Sequence, residues 1–155
     1  MKISPREREQ AILFGPSKFS AEGFLGDDRR SVEEIIEDDR QKCEDLGTTS
    51  VYLAKCLAKA FQKAESAMGD PVELGPGISA TLFEARGKIP SPFRGDGVFQ
   101  KGEVMIYEEE KKTTLFITRL GIHMIKKHGF FQGRGSRYRI EPADVVRLCS
   151  QPVSV

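Results

Sequence analysis

The sequence predicts an α+β fold, with an N-terminal helical hairpin, a small mostly antiparallel sheet and C-terminal helices packed on it. Three observations carry that prediction. Apolar residues recur at three and four residues between positions 31 and 69. Short β-branched and aromatic runs, bounded by Gly, Pro or charged turns, follow from Val72. Helical spacing then returns after Thr118 and again at Pro142. One domain over residues 1–155 is the expectation, with 1–30 an irregular wrapping segment, 31–69 the helical hairpin and 72–155 the sheet plus two helices.

Residues 1–30 carry turn chemistry at Gly15-Pro16 and Gly26-Asp27-Asp28, yet Phe14, Phe19, Phe24 and Leu25 are too apolar for a free tail. They are expected to pin the segment along the domain. Ser31 and Glu34 have capping-box spacing, so a helix starts there. Its buried stripe is read as Val32, Ile35, Ile36, Cys43 and Leu46, with Asp38, Asp39 and Arg40 facing out, and Gly47 ends it. Thr49 or Ser50 caps a second helix to Met68, on the stripe Val51, Ala54, Leu57, Ala58, Phe61, Ala64 and Met68.

Gly75-Pro76-Gly77 separates two short strands. Thr81 and Glu84 repeat the capping-box spacing, so residues 81–86 read either as a brief helix or as a continuing strand. Residues 88–102 read as a Pro- and Gly-rich loop, with Arg94-Gly95-Asp96 as a turn. Val104–Tyr107 and Thr114–Ile117 form a hairpin with a charged tip. Arg119 to His128 is a helix closed by Gly129, after which Phe130 and Phe131 fold back onto the core. Gly133-Arg134-Gly135-Ser136 is a loop, Tyr138–Ile140 a short extended piece, and Pro142 opens the last helix.

Composition bounds the function. The chain has 155 residues, 39% hydrophobic and 30% charged, as expected of a soluble globular protein. No apolar run approaches the roughly 20 residues of a membrane span, so no membrane partner is expected. The opening MKISPREREQ lacks the apolar centre of a signal peptide, which makes the cytoplasm the expected compartment. Cys43, Cys56 and Cys149 lack metal-ligand pairing and are read as buried thiols of a reducing cytosol. The net charge of +1 hides an asymmetry. Residues 31–70 hold five basic and nine acidic side chains, residues 119–155 seven basic and two acidic. Either the two regions attract each other, within the fold or across a homodimer, or the basic one faces an anionic partner.

His123 and His128 are the candidate catalytic residues of a small hydrolase or transferase. Five residues apart on a helix, they point about 140° from each other. That is not the same-face spacing of a helical zinc pair, and no third ligand lies nearby in sequence, so no metal site is expected. Asp96, Asp144, Ser136 and the cysteines are the groups available to serve a catalytic histidine. No nucleophile elbow, phosphate loop or dinucleotide fingerprint is present, so no cofactor is expected and the balance lies against an enzyme.

The Gly–Arg loop carries the leading reading. Glycines on either side of Arg134 allow backbone N–H groups to converge on an anion. Arg137 and Arg139 alternate along an extended piece and can share a face. Tyr138 offers a stacking surface. Arg134, Ser136, Arg137, Tyr138 and Arg139 are therefore the candidate ligand-binding residues of a binding or interaction module for an anionic ligand: phosphate, nucleotide or nucleic acid. The competing reading is that these arginines pair with the acidic helices. A third reading is an accessory subunit that binds a protein partner through the first two helices.

The run Ile122-His123-Met124-Ile125, then His128-Gly129-Phe130-Phe131, Gly133, Gly135-Ser136 and Tyr138-Arg139, resembles the C-terminal part of a group of uncharacterised bacterial cytoplasmic proteins. Gly15-Pro16-Ser17-Lys18-Phe19 and Gly23-Phe24-Leu25-Gly26 resemble the same group. The resemblance implies a bacterial, cytoplasmic, single-domain protein. It brings no activity and no residue roles.

Overall fold

The computed structural model describes residues 23–150 together with Pro5, Leu13 and Phe14. Phe19 and Gly15-Pro16 lie outside the described residues. Ser31 accepts from the Glu34 backbone N–H while Glu34 reaches back, and this box opens α1 (Val32–Asp45). Thr49 caps α2 (Ser50–Ser66) by accepting from the Tyr52 N–H. Four strands follow in one antiparallel sheet of order β1-β2-β5-β6. They are β1 (Val72–Gly75), β2 (Ile78–Phe83), β5 (Glu103–Glu108) and β6 (Thr113–Thr118). Between β2 and β5 the chain leaves the sheet as a two-stranded ribbon, β3 (Lys88–Pro90) with β4 (Val98–Gln100). Thr118 caps α3 (Arg119–His128), which ends on Gly129 at φ 68°, and Pro142 begins α4 (Pro142–Cys149).

Strand alternation decides which face is covered. Ile78, Ala80 and Leu82 of β2, Val104 and Ile106 of β5 and Ile117 of β6 point inward and meet Leu53, Leu57 and Phe61 of α2. A second apolar cluster joins Phe14, Phe24, Val32, Ile35, Leu120, Met124 and Phe130. Helix α3 serves both clusters, Ile125 facing the first and Met124 the second. The paired phenylalanines divide likewise, with Phe131 in the first and Phe130 in the second, both fully buried. Phe14 meets Phe24, Phe93 and Phe130 edge to face, so Phe14 and Phe24 are held in the core by aromatic rings.

The choice left open at residues 81–86 falls to the strand, and several other local expectations are corrected. Residues 81–83 continue strand β2, because register with Val104 and Met105 satisfies a backbone that a lone helical turn would leave open. The loop at 88–102 contains the β3–β4 ribbon. Asp39 does not face out; it is fully buried on the inner stripe of α1, where Arg139 neutralises it. Leu46, Val51 and Met68 are exposed: Leu46 is the C-cap of α1, Val51 lies in the first turn of α2, and Met68 falls beyond its end. Arg137 and Tyr138 form a turn, so Arg137 and Arg139 do not share an extended face. Cys43 is a buried thiol as expected, but Cys56 and Cys149 join α2 to α4 as a disulfide. None of the described helices is long and apolar enough to cross a membrane.

Candidate functional site

The Gly–Arg loop is built against the N-terminal segment. Gly133 N–H donates to the Phe24 carbonyl at 2.8 Å, and Asp27 N–H donates to the Arg134 carbonyl at 2.9 Å. Gly135 takes φ 82°, and a Cβ there would press into the Asp27 carboxylate. The Arg134 N–H already has an anion: it donates at 3.1 Å to Asp28, which Arg30 grips with its guanidinium. Those hydrogen bonds from Arg30, helped by the Arg134 N–H against the cost of burial, hold the Asp28 carboxyl well below the usual carboxylate range.

The five predicted ligand residues part company. Arg139 is 8% exposed, and its fork meets both oxygens of Asp39, at 2.5 and 2.9 Å, as well as the Gln132 carbonyl. Lys42 and Glu141 extend this into a bridge between α1 and the segment before α4, the attraction between acidic and basic regions that the charge count raised. Arg134 is exposed, and its guanidinium has no acidic partner among the described residues. Ser136 is buried, with its hydroxyl 2.7 Å from Gln132 Oε1 and 3.3 Å from the Gly23 carbonyl. Arg137 lies over the Phe116 ring at 4.2 Å and reaches Glu103 at 2.9 Å.

Ser136, Arg137 and Tyr138 nonetheless converge on one cavity of about 440 Å³. The end of β2 supplies Phe83 and Glu84, the start of β5 supplies Lys101 to Glu103, and α3 supplies Leu120. Phe24 and Ile89 give it apolar walls, while Thr118, Gln132 and Ser136 give it hydroxyl and amide groups. The size and the mixture of apolar wall with a few polar groups are those of small-ligand sites.

A second constellation lies beyond the β3–β4 ribbon. The turn between those strands carries Asp96, whose side chain is 1% exposed. Its Oδ2 stands 2.7 Å from His128 Nε2 and 3.0 Å from His123 Nε2, and its Oδ1 accepts from Lys127 Nζ at 2.8 Å. Ser91 Oγ adds a contact to Oδ2 at 3.2 Å. Burial pushes the Asp96 carboxyl up, but the hydrogen bonds from Lys127 and His128, with the His123 ring close by, outweigh it and hold the group well below the usual range. The His128 ring stacks flat on Phe93 with centroids 3.8 Å apart, and His123 leans on Phe99 at 4.7 Å. His123 Nε2 is buried and, though close to Asp96, is not aligned for a hydrogen bond, so its expected satisfaction within the core fails.

The 140° separation of the histidines on an ideal helix does not keep them apart. His128 closes α3, His123 lies about one and a half turns inside it, and the buried carboxylate reaches both from a different part of the chain. From sequence alone Asp96 is only an available group. Its one signal was an aspartate in a Pro- and Gly-rich stretch too long for a plain connection. Asp144, also named, pairs with Arg147 instead.

Compared with protein-family models, with curated proteins and with solved structures, the chain matches none. Fold and site together define an α+β protein with a ligand-sized cavity lined in part by a β-ribbon and a histidine–aspartate cluster at the turn of the same ribbon.

Proposed function

We propose that this protein is a binding module for a small phosphate- or carboxylate-bearing ligand, held in the cavity that Ser136, Arg137 and Tyr138 line. The convergence of these three residues on one open cavity carries the reading. Arg137 is half exposed, so its guanidinium can turn from Glu103 to a ligand anion, and a two-point contact of that kind is strong and directional. Tyr138 and Phe24 would hold an apolar or aromatic body, and the Ser136 and Gln132 side chains would read its polar edge. A small ligand fits better than a nucleic-acid strand, because Arg139 is spent on Asp39 and only Arg134 stands free on the loop among the described residues. A bacterial cytoplasm is the setting that the resemblance suggests; the Cys56–Cys149 disulfide is the feature that sits least easily there.

Inorganic phosphate, a nucleoside diphosphate and a short single-stranded RNA, titrated at low and moderate salt, test this reading. The expected result is saturable binding of a small anion, with the unfolding midpoint rising with ligand concentration. Arg137→Gln should weaken binding more than about tenfold, and Arg134→Gln should leave it unchanged. RNA binding that falls steeply with salt and disappears in Arg134→Gln would move the function to the exposed loop. Failure of a folded wild type to bind any of the three would overturn the reading.

Chemistry at His123 or His128, as in a hydrolase or transferase, is the second reading. It is favoured by the carboxylate that holds the His128 ring and lies 3.0 Å from His123, since a general base needs such a partner.

A further inference from the structure

We propose that Asp96, His123 and His128 form a site for one divalent first-row transition-metal ion, of which zinc and cobalt are the working examples. The ligand atoms of the three residues all lie within 4.8 Å of one another. Two imidazole nitrogens and one carboxylate oxygen suit such an ion and do not suit calcium or magnesium, which take oxygen ligands. The inference stands apart from the cavity reading, since the two sites share no residue.

The arrangement without an ion is short of hydrogen bonds. Asp96 Oδ2 faces His128 Nε2, His123 Nε2 and Ser91 Oγ together. His123 loses that competition: its Nε2 is buried and unpartnered. A cation drawn in among the three gives both nitrogen lone pairs and the oxygen a partner at once. Tetrahedral ligands at 2.0–2.1 Å from zinc stand roughly 3.3 Å apart. The two N···O separations, 2.7 and 3.0 Å, therefore need to open by only a few tenths of an ångström.

The surroundings are those of a braced metal site. Oδ1 of Asp96 is held by Lys127, which turns Oδ2 toward the two rings, as an outer partner of a ligating carboxylate does. Lys127 is 54% exposed and can withdraw its charge into solvent when the ion enters. Phe93 and Phe99 fix the planes of the rings. His123 and His128 keep 28% and 23% of their side-chain surface exposed, so the site lies close to solvent, and a water would enter past the rings because Asp96 and the His123 Nε2 atom are themselves buried. Three protein donors leave a fourth position for that water, as in catalytic rather than purely structural sites.

The competing account is that Asp96 only pins the 91–97 turn onto α3, a role that needs no ion. Titration of the full-length, tag-free protein with Zn²⁺ by calorimetry, and with Co²⁺ by visible absorption, separates the two. The expected result is one ion per chain, with a cobalt spectrum of nitrogen and oxygen ligation. His123→Gln and His128→Gln keep the size of the side chain and should each weaken binding by more than about tenfold. Asp96→Asn removes the charge and should do the same. If Asp96→Asn fails to fold, the two glutamine variants, checked by circular dichroism, decide the matter. A folded wild type that takes up neither ion overturns the proposal. So does binding that both glutamine variants retain, or a thiolate charge-transfer band that assigns the ion to Cys43, Cys56 or Cys149.

Discussion

Asp39 is the residue on which the charge pattern of the chain turns. It lies in α1 among acidic neighbours that face water, yet it is fully buried, and Arg139 answers it from a hundred residues away in a two-point contact. A charge so placed is tolerable only while its partner is present, because desolvation of a lone ion costs several kcal/mol. Asp39→Ala should therefore destabilise the fold by about 3–5 kcal/mol, more than truncating an exposed acid of the same helix such as Glu37. The double variant Asp39→Leu/Arg139→Met should recover much of that loss. Denaturant unfolding of the single and double variants checks it; additive losses would mean that the pair is not coupled. The same contact shapes Cys43, one turn along α1, whose thiol is pushed up by burial and by the Asp39 charge.

Among the elements, the joint between the 23–30 segment and the Gly–Arg loop has the narrowest tolerance. Gly26 takes φ 59°, and a Cβ there would overlap the Arg134 carbonyl and the Ser136 N–H, both backbone atoms that cannot step aside. Gly47, after α1, has a similar φ of 72° but open space around it. Gly47→Ala should cost about 1–2 kcal/mol, the usual penalty of a left-handed backbone with a side chain. Gly26→Ala should exceed about 3 kcal/mol, because the loop must also move off the segment. Thermal unfolding of the pair gives the comparison, and equal losses would show that the backbone angle alone matters. Ser136 and Arg137 ride on this loop, so Gly26→Ala should also weaken any ligand that the cavity holds.

At the scale of the whole molecule, paired carboxylates set the acid limit. Asp28 is held below its ordinary range chiefly by Arg30, and for the half-exposed Glu141 partial desolvation pushes up but Arg139 and Lys42 outweigh it. A carboxyl with a lowered folded pKa contributes stability that is complete above its unfolded value and is lost as pH falls toward the folded one. Stability should thus be level above about pH 5 and fall steadily below about pH 4. Asp28→Asn should flatten part of that fall while lowering stability at neutral pH. A wild-type curve unchanged between about pH 5 and pH 2 would refute the role of these pairs.

By itself the sequence determined most of the elements. The capping box at Ser31, the cap at Thr49, Gly129 and Pro142, and the runs that form β2, β5 and β6 are local signals, and the chain obeys them because backbone groups must be satisfied within a few residues. It also marked the C-terminal stretch as chemically rich. Only the tertiary structure decided what that stretch does with its charges. Arg139 and Asp39, Arg137 and Glu103, and Asp96 with its two histidines meet across 27 to 100 residues of chain. Such pairings are set by the way two apolar clusters close around α3, and no local spacing encodes them. The histidines were legible as residue types, but their shared carboxylate comes from the turn of a ribbon whose place is fixed by packing.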